Sequence, residues 1–377
     1  MERFLYPVGQ GAFYAEVLFN SKTFIYDCGS SSEIKYLDES IKVFCEMHLV
    51  NDVDGLFISH FHKDHINGIA ALIQALKQNG KKIKRIFLPK LTSNQNIFNL
   101  LTFASFQNSF KDNQDLIKLI SDPVSYFYRV CDGVRICQIQ NEQMANESDR
   151  TKEIIELNDE ELTDGDYTVS YSSQTRFQIK AQANLDCSPS WEYVPFNFTS
   201  FKENDINIIL ENNNLSSTDF IDIDTNKWAR IQSLALKIQL NKNESSMVLF
   251  SSASKEYSCC RTRRYSALYM GDYPTRYDEY LKRLCAFIKD NEIIKRCCFV
   301  QIAHHGSAVD FTKDAWWKFY SKFNKFFVSY GTNNSYGHPC NSIRLPLPSL
   351  PYVVKITEHS KVKHFYGKCC LISYLYW

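Results

Sequence analysis

Long apolar runs are missing from this sequence. No stretch of its 377 residues reaches the ~18 to 20 unbroken apolar residues that cross a bilayer, so the pattern offers no helical membrane span. A surplus of charge is missing as well: 43 Lys and Arg face 42 Asp and Glu, for a formal net charge of +1. That balance weakens the case for a chain that coats nucleic acid with positive charge, although a local basic groove is enough for contact. Thirteen cysteines include no CxxC pair, which argues against a structural zinc site built from cysteine. Met1-Glu2-Arg3-Phe4 opens no secretory signal, so the thiols, including the adjacent pairs Cys259-Cys260, Cys297-Cys298 and Cys369-Cys370, are expected to be reduced and mostly buried in a cytoplasmic protein. Internal repeats and low-complexity linkers are absent. Histidine is absent over one long span, for none of the nine falls between Ile66 and Ala303. What is left, 44% hydrophobic and 23% charged, is an ordinary globular composition long enough for one large domain or a domain with an insertion.

What the sequence does have is concentrated in one stretch. The apolar run Leu56-Phe57-Ile58-Ser59 leads into His60-Phe61-His62-Lys63-Asp64-His65, and Ile66-Asn67-Gly68-Ile69 leads away. Three imidazoles and a carboxylate within six residues, between a strand and a helix, converge on one spot without help from the rest of the chain. Neutral imidazole nitrogens and carboxylate oxygens are the usual ligands of Zn²⁺ and its first-row neighbours, and a catalytic site keeps a position open for water. The bland alternative, a polar turn that happens to be rich in histidine, leaves the later histidine motifs unexplained.

HxHxDH after an apolar strand is the signature of the metallo-β-lactamase fold, and His60, His62, Asp64 and His65 match it residue for residue. Val8-Gly9-Gln10-Gly11 and Asp27-Cys28-Gly29 resemble the turns that open the hydrolase domain of ComEC-type competence proteins. Met270-Gly271-Asp272, His304-His305-Gly306-Ser307, Ser329-Tyr330-Gly331, Asn334 and Tyr336-Gly337-His338-Pro339 resemble later motifs of that subfamily, in the same order. The resemblance covers residues 1–90 and 230–340. It implies an α/β protein with the metallo-β-lactamase αββα sandwich, a single domain over residues 1–377 carrying an insertion at about 91–232 between the HxHxDH and Gly-Asp motifs. Full-length ComEC proteins are membrane channels with this domain attached; this chain is expected to be the hydrolase alone, with no membrane partner.

The resemblance also implies a division of labour. His60 and His62 would hold one divalent ion, Asp64 and His65 a second, and Asp272 would bridge the two. The distal ligand is His304 or His305, with His304 favoured as the first residue past its strand. Asp64, Asp272 and His338 are the expected catalytic residues, His338 hydrogen-bonding the phosphate or protonating the leaving oxygen. His305, Ser307, Asn334 and His338 are the expected substrate contacts. Two divalent ions, Zn²⁺ or Mn²⁺, about 3.5 to 4 Å apart generate a hydroxide near neutral pH, orient a phosphoryl group and stabilise the charge of in-line attack. The long gap without histidine is a departure, because many enzymes of this fold take a further histidine there. The His60/His62 site is therefore short of one protein ligand, to be made up by a carboxylate, hydroxyl, amide, substrate or water, or its ion is weakly held.

Element by element, Phe13–Phe19 and Lys22–Asp27 predict an antiparallel hairpin. Ile34, Leu37, Ile41 and Phe44 predict a helix, Val53–Ile58 a strand, and Ile66, Ile69, Ile73 and Leu76 a second helix stopped at Asn79-Gly80. Arg85–Pro89 is a strand again, giving the rhythm of helices layered on a sheet. Between residues 91 and 232 the pattern blurs into Asn- and Asp-rich text with a run of acids from Glu142 to Asp166; strand-like alternation returns at Thr168–Ala181. This segment reads as a solvated insertion or as a lid. Ser233–Leu240 and Ser246–Phe250 predict paired strands, Tyr277–Ile288 a helix, Phe299–Ala303 a strand, Lys313–Lys322 a helix, and Phe326–Val328, Tyr352–Ile356 and Cys370–Tyr376 strands.

Three functions compete. The first is a metal-dependent phosphodiesterase, most concretely a nuclease that hydrolyses DNA, single strands preferred, with nucleic acid as its partner and a regulatory protein holding it in check. The second is a hydrolase of a small phosphodiester or other ester, since a fold does not fix its substrate. The third is a binding module that has kept the site, which leaves the joint presence of Asp64, His65, Asp272 and His304 without a reason. A basic groove favours the first and a pocket lidded by residues 91–232 the second. Lys255–Tyr265 mixes three arginines with tyrosines, a composition suited to phosphate contact and base stacking. Neutralising Arg261, Arg263 and Arg264 together is expected to weaken nucleic-acid binding and lower its salt slope by up to about 3. Titrations of wild type and variant across a salt series check this, and an unchanged slope removes the loop from the binding surface.

Overall fold

The computed structural model describes residues 1–18, 21–49, 51–107, 109–142, 153–157, 167–180, 190–238, 246–254, 265–344 and 352–366. Outside them lie most of the acidic run, Arg261, Arg263 and Arg264 with most of their loop, and Cys370–Tyr376. Short β-branched and aromatic runs alternate with amphipathic stretches, and the strands assemble into two sheets. The first holds β1 (Glu2–Leu5), β2 (Gly11–Val17), β3 (Thr23–Ser30), β4 (Val53–Phe57), β5 (Arg85–Pro89), β6 (Arg135–Ile139), β8 (Tyr167–Tyr171) and β16 (Lys363–Tyr366), in the order β16-β1-β2-β3-β4-β5-β6-β8. The second holds β7 (Ile154–Glu156), β9 (Arg176–Ile179), β10 (Trp191–Phe196), β11 (Val248–Ala253), β12 (Ala267–Tyr269), β13 (Phe299–Gln301), β14 (Lys325–Ser329) and β15 (Tyr352–Ile356), in the order β15-β14-β13-β12-β11-β10-β9-β7.

Alternation along the strands builds three apolar layers. In β2 and β5, Phe13, Ala15, Ile86 and Leu88 face the helices outside the first sheet, while Tyr14 and Phe87 face the second sheet. In β11, Leu249 faces inward and Phe250 outward. The first outer layer contains α1 (Ile34–Val43), α2 (Lys63–Ile66), α3 (Ile69–Gln78), α4 (Ser93–Ala104), α5 (Gln114–Ser121), α6 (Pro123–Val130), α7 (Glu203–Asn212) and α8 (Thr225–Lys237). The second contains α9 (Asp278–Asp290), α10 (Ile293–Arg296), α11 (Lys313–Lys318) and α12 (Asn341–Arg344). The result is the αββα sandwich of the metallo-β-lactamase fold that the motifs imply.

The two sheets are alike in one respect that places the site. Strands β3-β4-β5 and β12-β13-β14 run parallel within their sheets, joined by helices. Ligands of open α/β sheets sit outside the carboxyl ends of parallel strands. His60 follows the end of β4, Asp272 the end of β12, His304 the end of β13 and Gly331 the end of β14.

Two expectations differ from the structure. Residues 91–232 are not merely inserted: β6 and β8 extend the first sheet, and β7, β9 and β10 extend the second. Their edges need only short strands, and the polar text around them hides the alternation. Ser233–Leu240 was expected as a strand, yet its start belongs to α8. Asp224 caps that helix by accepting from the Lys227 N–H at 2.8 Å, and Trp228, Ile231, Leu234 and Ala235 bury one face beside α4. The other expected elements that lie within the described residues fall within a few residues of where the periodicity puts them.

The first sheet's outer edge carries a pH-sensitive contact. His48 closes the helical turn after α1, its ring stacked on Phe4 at 3.9 Å and its Nδ1 2.7 Å from the Tyr6 hydroxyl. Burial, with neighbouring His364 adding to it, pushes His48 down to about 4, against about 6.5 in the unfolded chain. Between those values the unfolded state takes up a proton that the folded state refuses, so acidification removes stability. His48→Gln is expected to lose roughly 2–4 °C less in Tm between pH 6.5 and 4 than wild type. Thermal melts at several pH values check this, and parallel curves would exclude a neutral, half-buried His48.

Candidate metal centre

The site is built around a helix of one turn held unusually close to the sheet. Main-chain atoms of α2 press on β3: a Cβ on Gly29 would lie 2.6 Å from the carbonyl carbon of His65 and 2.7 Å from that of Asp64. Gly11 stands equally close to the Asp64 carbonyl oxygen. The glycines of the two N-terminal motifs are thus space for the backbone that carries Asp64 and His65.

Asp27, fully buried at the turn in β3, sets the loop's conformation. Its Oδ1 accepts from the Ser59 N–H at 2.7 Å, and its Oδ2 accepts from the Ser59 hydroxyl and the His65 ring Nδ1, each at 2.7 Å. A histidine bound this way through Nδ1 presents Nε2 to a ligand, the arrangement common behind metal-binding imidazoles. His60 has its Nδ1 2.9 Å from the Ser59 hydroxyl, and His305 donates Nδ1 to the Ser329 carbonyl at 2.9 Å.

These anchors aim their rings at two carboxylates. His65 Nε2 lies 3.2 Å from Asp272 Oδ1, His60 Nε2 3.6 Å from Asp272 Oδ2, and His305 Nε2 3.1 Å from Asp64 Oδ2 and 3.7 Å from Asp272 Oδ1. Among the described residues, two groups gather ligand atoms within 4.8 Å of one another: His60, His65 and Asp272, and Asp64, His65 and His305. The Nε2 atoms of His60 and His65 are buried without a hydrogen-bond partner among the described residues. A buried polar atom left unsatisfied is costly, and a nitrogen lone pair aimed at converging carboxylates is what a divalent cation satisfies. The residues present therefore fit a metal centre.

Charge follows the same geometry. Burial, reinforced by His60, pushes His62 down to about 3, and burial with His65 lowers His60. Both are held as neutral imidazoles, the form that binds metal. Burial opposes charge on His65, but Asp272 and Asp27 outweigh it and raise its value; burial likewise opposes charge on Asp272, and His304 and His65 hold it well below the carboxylate range. Burial, then His304 and His305, pushes His338 down to about 4.

Of the two histidines open as distal ligand, the structure brings the second to the ligand group. His304 was favoured, yet His305 is the residue that reaches Asp64 and His65. Both residues adopt left-handed backbone, φ 50° and 52°, so the chain doubles back and the second imidazole turns inward. His304 stays on the cavity wall, its Nε2 3.7 Å from Asp272 Oδ2 and its Nδ1 2.7 Å from Asp310 Oδ2. His62 packs edge-on against His60 at 4.5 Å and falls in neither group. Asn334, expected at the phosphate, is turned to the backbone: its Oδ1 accepts from the His338 N–H at 2.9 Å and its Nδ2 donates to the His338 carbonyl at 2.7 Å. Ser307 is buried and is not among the residues that line the cavity.

The centre opens into a cavity of about 310 Å³. Asp64, Asp272, His304, His305 and His338 form its floor; Phe61, Phe103, Phe106 and Tyr336 supply aromatic wall. Lys63 is the cation among the described lining residues, and its Nζ donates to Gln107 Oε1 at 3.2 Å. The sequence reading passed over Asp27, Ser59, Asp310 and this wall. Asp27 stood within a recognised turn but had no visible partner, and Phe103 and Phe106 of the wall come from a segment without any motif.

The family model described as "Anti-Pycsar protein Apyc1" matches residues 12–129. The ribonuclease Z of Methanococcus maripaludis (strain C7) is 31% identical over 85 residues, which make up 22% of this chain and 25% of that protein. The match thus spans a quarter of the curated relative's length. Among solved structures, a long form RNase Z from yeast aligns with a TM-score of 0.40 at 11% identity over 89% of this chain and 38% of its own. The metallo-β-lactamase fold protein YhfI from Bacillus subtilis aligns at 0.38 and 8%, over 96% and 99%, and unliganded yeast PDE1 at 0.35 and 11%, over 89% and 78%.

Gly29→Ala is expected to push α2 off β3 and weaken metal binding roughly 10- to 100-fold, as the loss of other outer supports does. Metal content measured by mass spectrometry beside circular dichroism checks this; full metal content in a folded variant would mean that the close approach does not hold the ligands.

Proposed function

We propose that this protein is a metal-dependent phosphodiesterase that acts on small nucleotide diesters. The observation that carries the reading is the cavity: a carboxylate–imidazole floor fit for divalent ions, flanked by aromatic side chains in an open pocket of a volume suited to one small ligand. In this reading Asp64, His65 and His305 would hold one ion, and His60 and Asp272 the other, with His62 and His304 beside them. Zn²⁺ or Mn²⁺ bound there would supply an activated water near neutral pH and a positive clamp on the phosphoryl oxygens. The chain's own residues do the rest. Asp27 and Ser59 keep the ligand rings oriented, Asp310 holds His304 beside Asp272, and Lys63 and His338 line the cavity as contacts for a phosphoryl group. Phe103, Phe106 and Tyr336 offer ring faces to a base.

Phe103 and Thr102 of α4, with Phe106 and Gln107 beyond it, come from the stretch 91–232, and Gln107 is pinned from the far side by the Gln232 amide donating to its carbonyl at 2.6 Å. A wall so placed favours a compact diester over a strand running through the site. The second reading, a nuclease on single-stranded DNA or RNA entering by an end, draws support from the ribonuclease Z likeness and from the aromatic rings. The ComEC-like motifs are compatible with either. Cytoplasmic location and a restraining partner protein remain part of the proposal.

Metal-stripped protein resupplied with Mn²⁺ or Zn²⁺ is expected to hydrolyse bis-p-nitrophenyl phosphate and small nucleotide diesters faster than single-stranded DNA, double-stranded DNA or RNA. Asp272→Asn is expected to lower kcat at least 10³-fold with the fold intact. Full activity in that variant would end the two-ion reading, and cleavage of polymers alone would transfer the assignment to a nuclease.

A further inference from the structure

We propose that Gln10 is a positioning residue that fixes the ring proton of His338 on Nε2, so that this imidazole meets the substrate as a neutral hydrogen-bond donor to a phosphoryl oxygen. The inference rests on the phosphodiesterase reading and deepens it, because it chooses between the two tasks open to His338, binding the phosphoryl group and giving up a proton.

Gln10 lies in the turn between β1 and β2 and is buried, 3% exposed. Its backbone is held on both sides: the N–H donates to the Ser32 hydroxyl at 3.0 Å, and the carbonyl accepts from the Ser31 N–H. The side chain then has one orientation that satisfies its neighbours. The Gly331 N–H points at it from 3.3 Å. A main-chain N–H can only donate, so the atom it meets is the amide oxygen, and the amide nitrogen is turned to His338 Nδ1 at 3.2 Å. An amide nitrogen can only donate in turn. Nδ1 is therefore the acceptor, and the neutral ring carries its proton on Nε2.

The same geometry works against the alternative. An imidazole that acts as an acid begins with protons on both nitrogens, and a second proton on Nδ1 would face the amide protons of Gln10. The ring is also held in place from other directions. Asn334 grips the backbone N–H and carbonyl of His338, and Tyr336 stacks on the ring at 5.7 Å with 29° between planes. His304 meets it edge-on at 5.2 Å. His338 shares the cavity with Asp64 and Asp272, so a donor fixed on Nε2 belongs to the surface that an anionic phosphoryl group approaches.

Gln10→Glu is the discriminating change, since it keeps an oxygen for the Gly331 N–H and replaces the donor facing His338 by an acceptor. Gln10→Met removes both bonds. Protein labelled with ¹⁵N-histidine and loaded with metal, with His338→Gln to assign the signals, reports the tautomer by long-range ¹H–¹⁵N correlation. Wild type is expected to show a protonated Nε2 and an unprotonated Nδ1, with Nε2 moving when inorganic phosphate is added. Gln10→Glu is expected to place a proton on Nδ1, and both variants to bind phosphate roughly tenfold more weakly. In turnover, the pair Gln10→Met with His338→Ala is expected to be no worse than His338→Ala alone. A proton on Nδ1 in wild type, or unaltered tautomer and phosphate affinity in Gln10→Glu, overturns the proposal. The tautomer and phosphate readings need no turnover, so a protein that shows both yet hydrolyses no diester would overturn the phosphodiesterase reading and leave this one standing.

Discussion

A buried carboxylate needs a full set of donors, and the rest of the site depends on how Asp27 obtains them. It has left water completely and sits in left-handed backbone at φ 56°. An unpaired charge in that place would be prohibitive. Its donors are the N–H and hydroxyl of Ser59 and the Nδ1 of His65, all from the loop after the neighbouring strand. Satisfying Asp27 therefore fixes where that loop begins, which way His65 faces and where the Ser59 hydroxyl stands beside His60. Gly29, two residues on, lets α2 lie against the strand. One electrostatic requirement and one steric allowance place the first half of the ligand set.

The second half belongs to the other sheet. Asp272, His304, His305 and His338 follow strands of the second sheet, so the centre exists only when the sandwich is closed. The closure is itself largely polar. Glu16 of the first sheet accepts from Arg3 and from the hydroxyls of Tyr193, Ser251 and Tyr269 in the second. The Tyr26 hydroxyl donates to the Met247 carbonyl at 2.9 Å. Tyr14, Tyr26 and Tyr269 stack between the sheets beneath these bonds. An apolar interface alone tolerates sliding, whereas hydrogen-bonded groups buried between the sheets lock the register. That lock matters because Asp272 must meet His60 and His65 to within a few tenths of an ångström.

How much of this the sequence disclosed follows from how local each feature is. His60, Asp64 and His65 lie within six residues, and the strand and helix around them have clean periods, so that they come together could be read directly; His62 stands beside His60 but outside both groups. The Gly-Asp and HHGS motifs disclosed which residues return to the centre. They did not disclose the choice between His304 and His305, which depends on two consecutive left-handed residues that no spacing rule encodes. The missing histidine between Ile66 and Ala303 was visible as an absence. Residues 91–232 were the least legible. Their strands are short and flanked by Asn and Asp, and α8 was mistaken for a strand because its apolar residues are few and Ile- and Leu-rich near the end. Asn334 misled for another reason: an amide in a motif suggests a ligand contact, but the loop carrying His338 needs it to satisfy its own backbone.

The two origins of the cavity point to a division between chemistry and selection. Its floor comes from strand ends that motifs mark and that both sheets must present together, so it changes little without losing the centre. Its wall comes mostly from Thr102, Phe103, Phe106 and Gln107 at and beyond the end of α4, residues no motif marks, with Phe61 and Tyr336 from within the motifs. Side chains on that wall have few structural obligations: Phe106 and Tyr336 are more than half exposed. The proposed reading draws on this rim of exposed rings above a charged floor, which would suit a ligand with an anionic end and a flat apolar one. Function lives in the site and not in the fold. Within this site the same reasoning separates the floor, which sets the reaction class, from the wall, which sets the substrate.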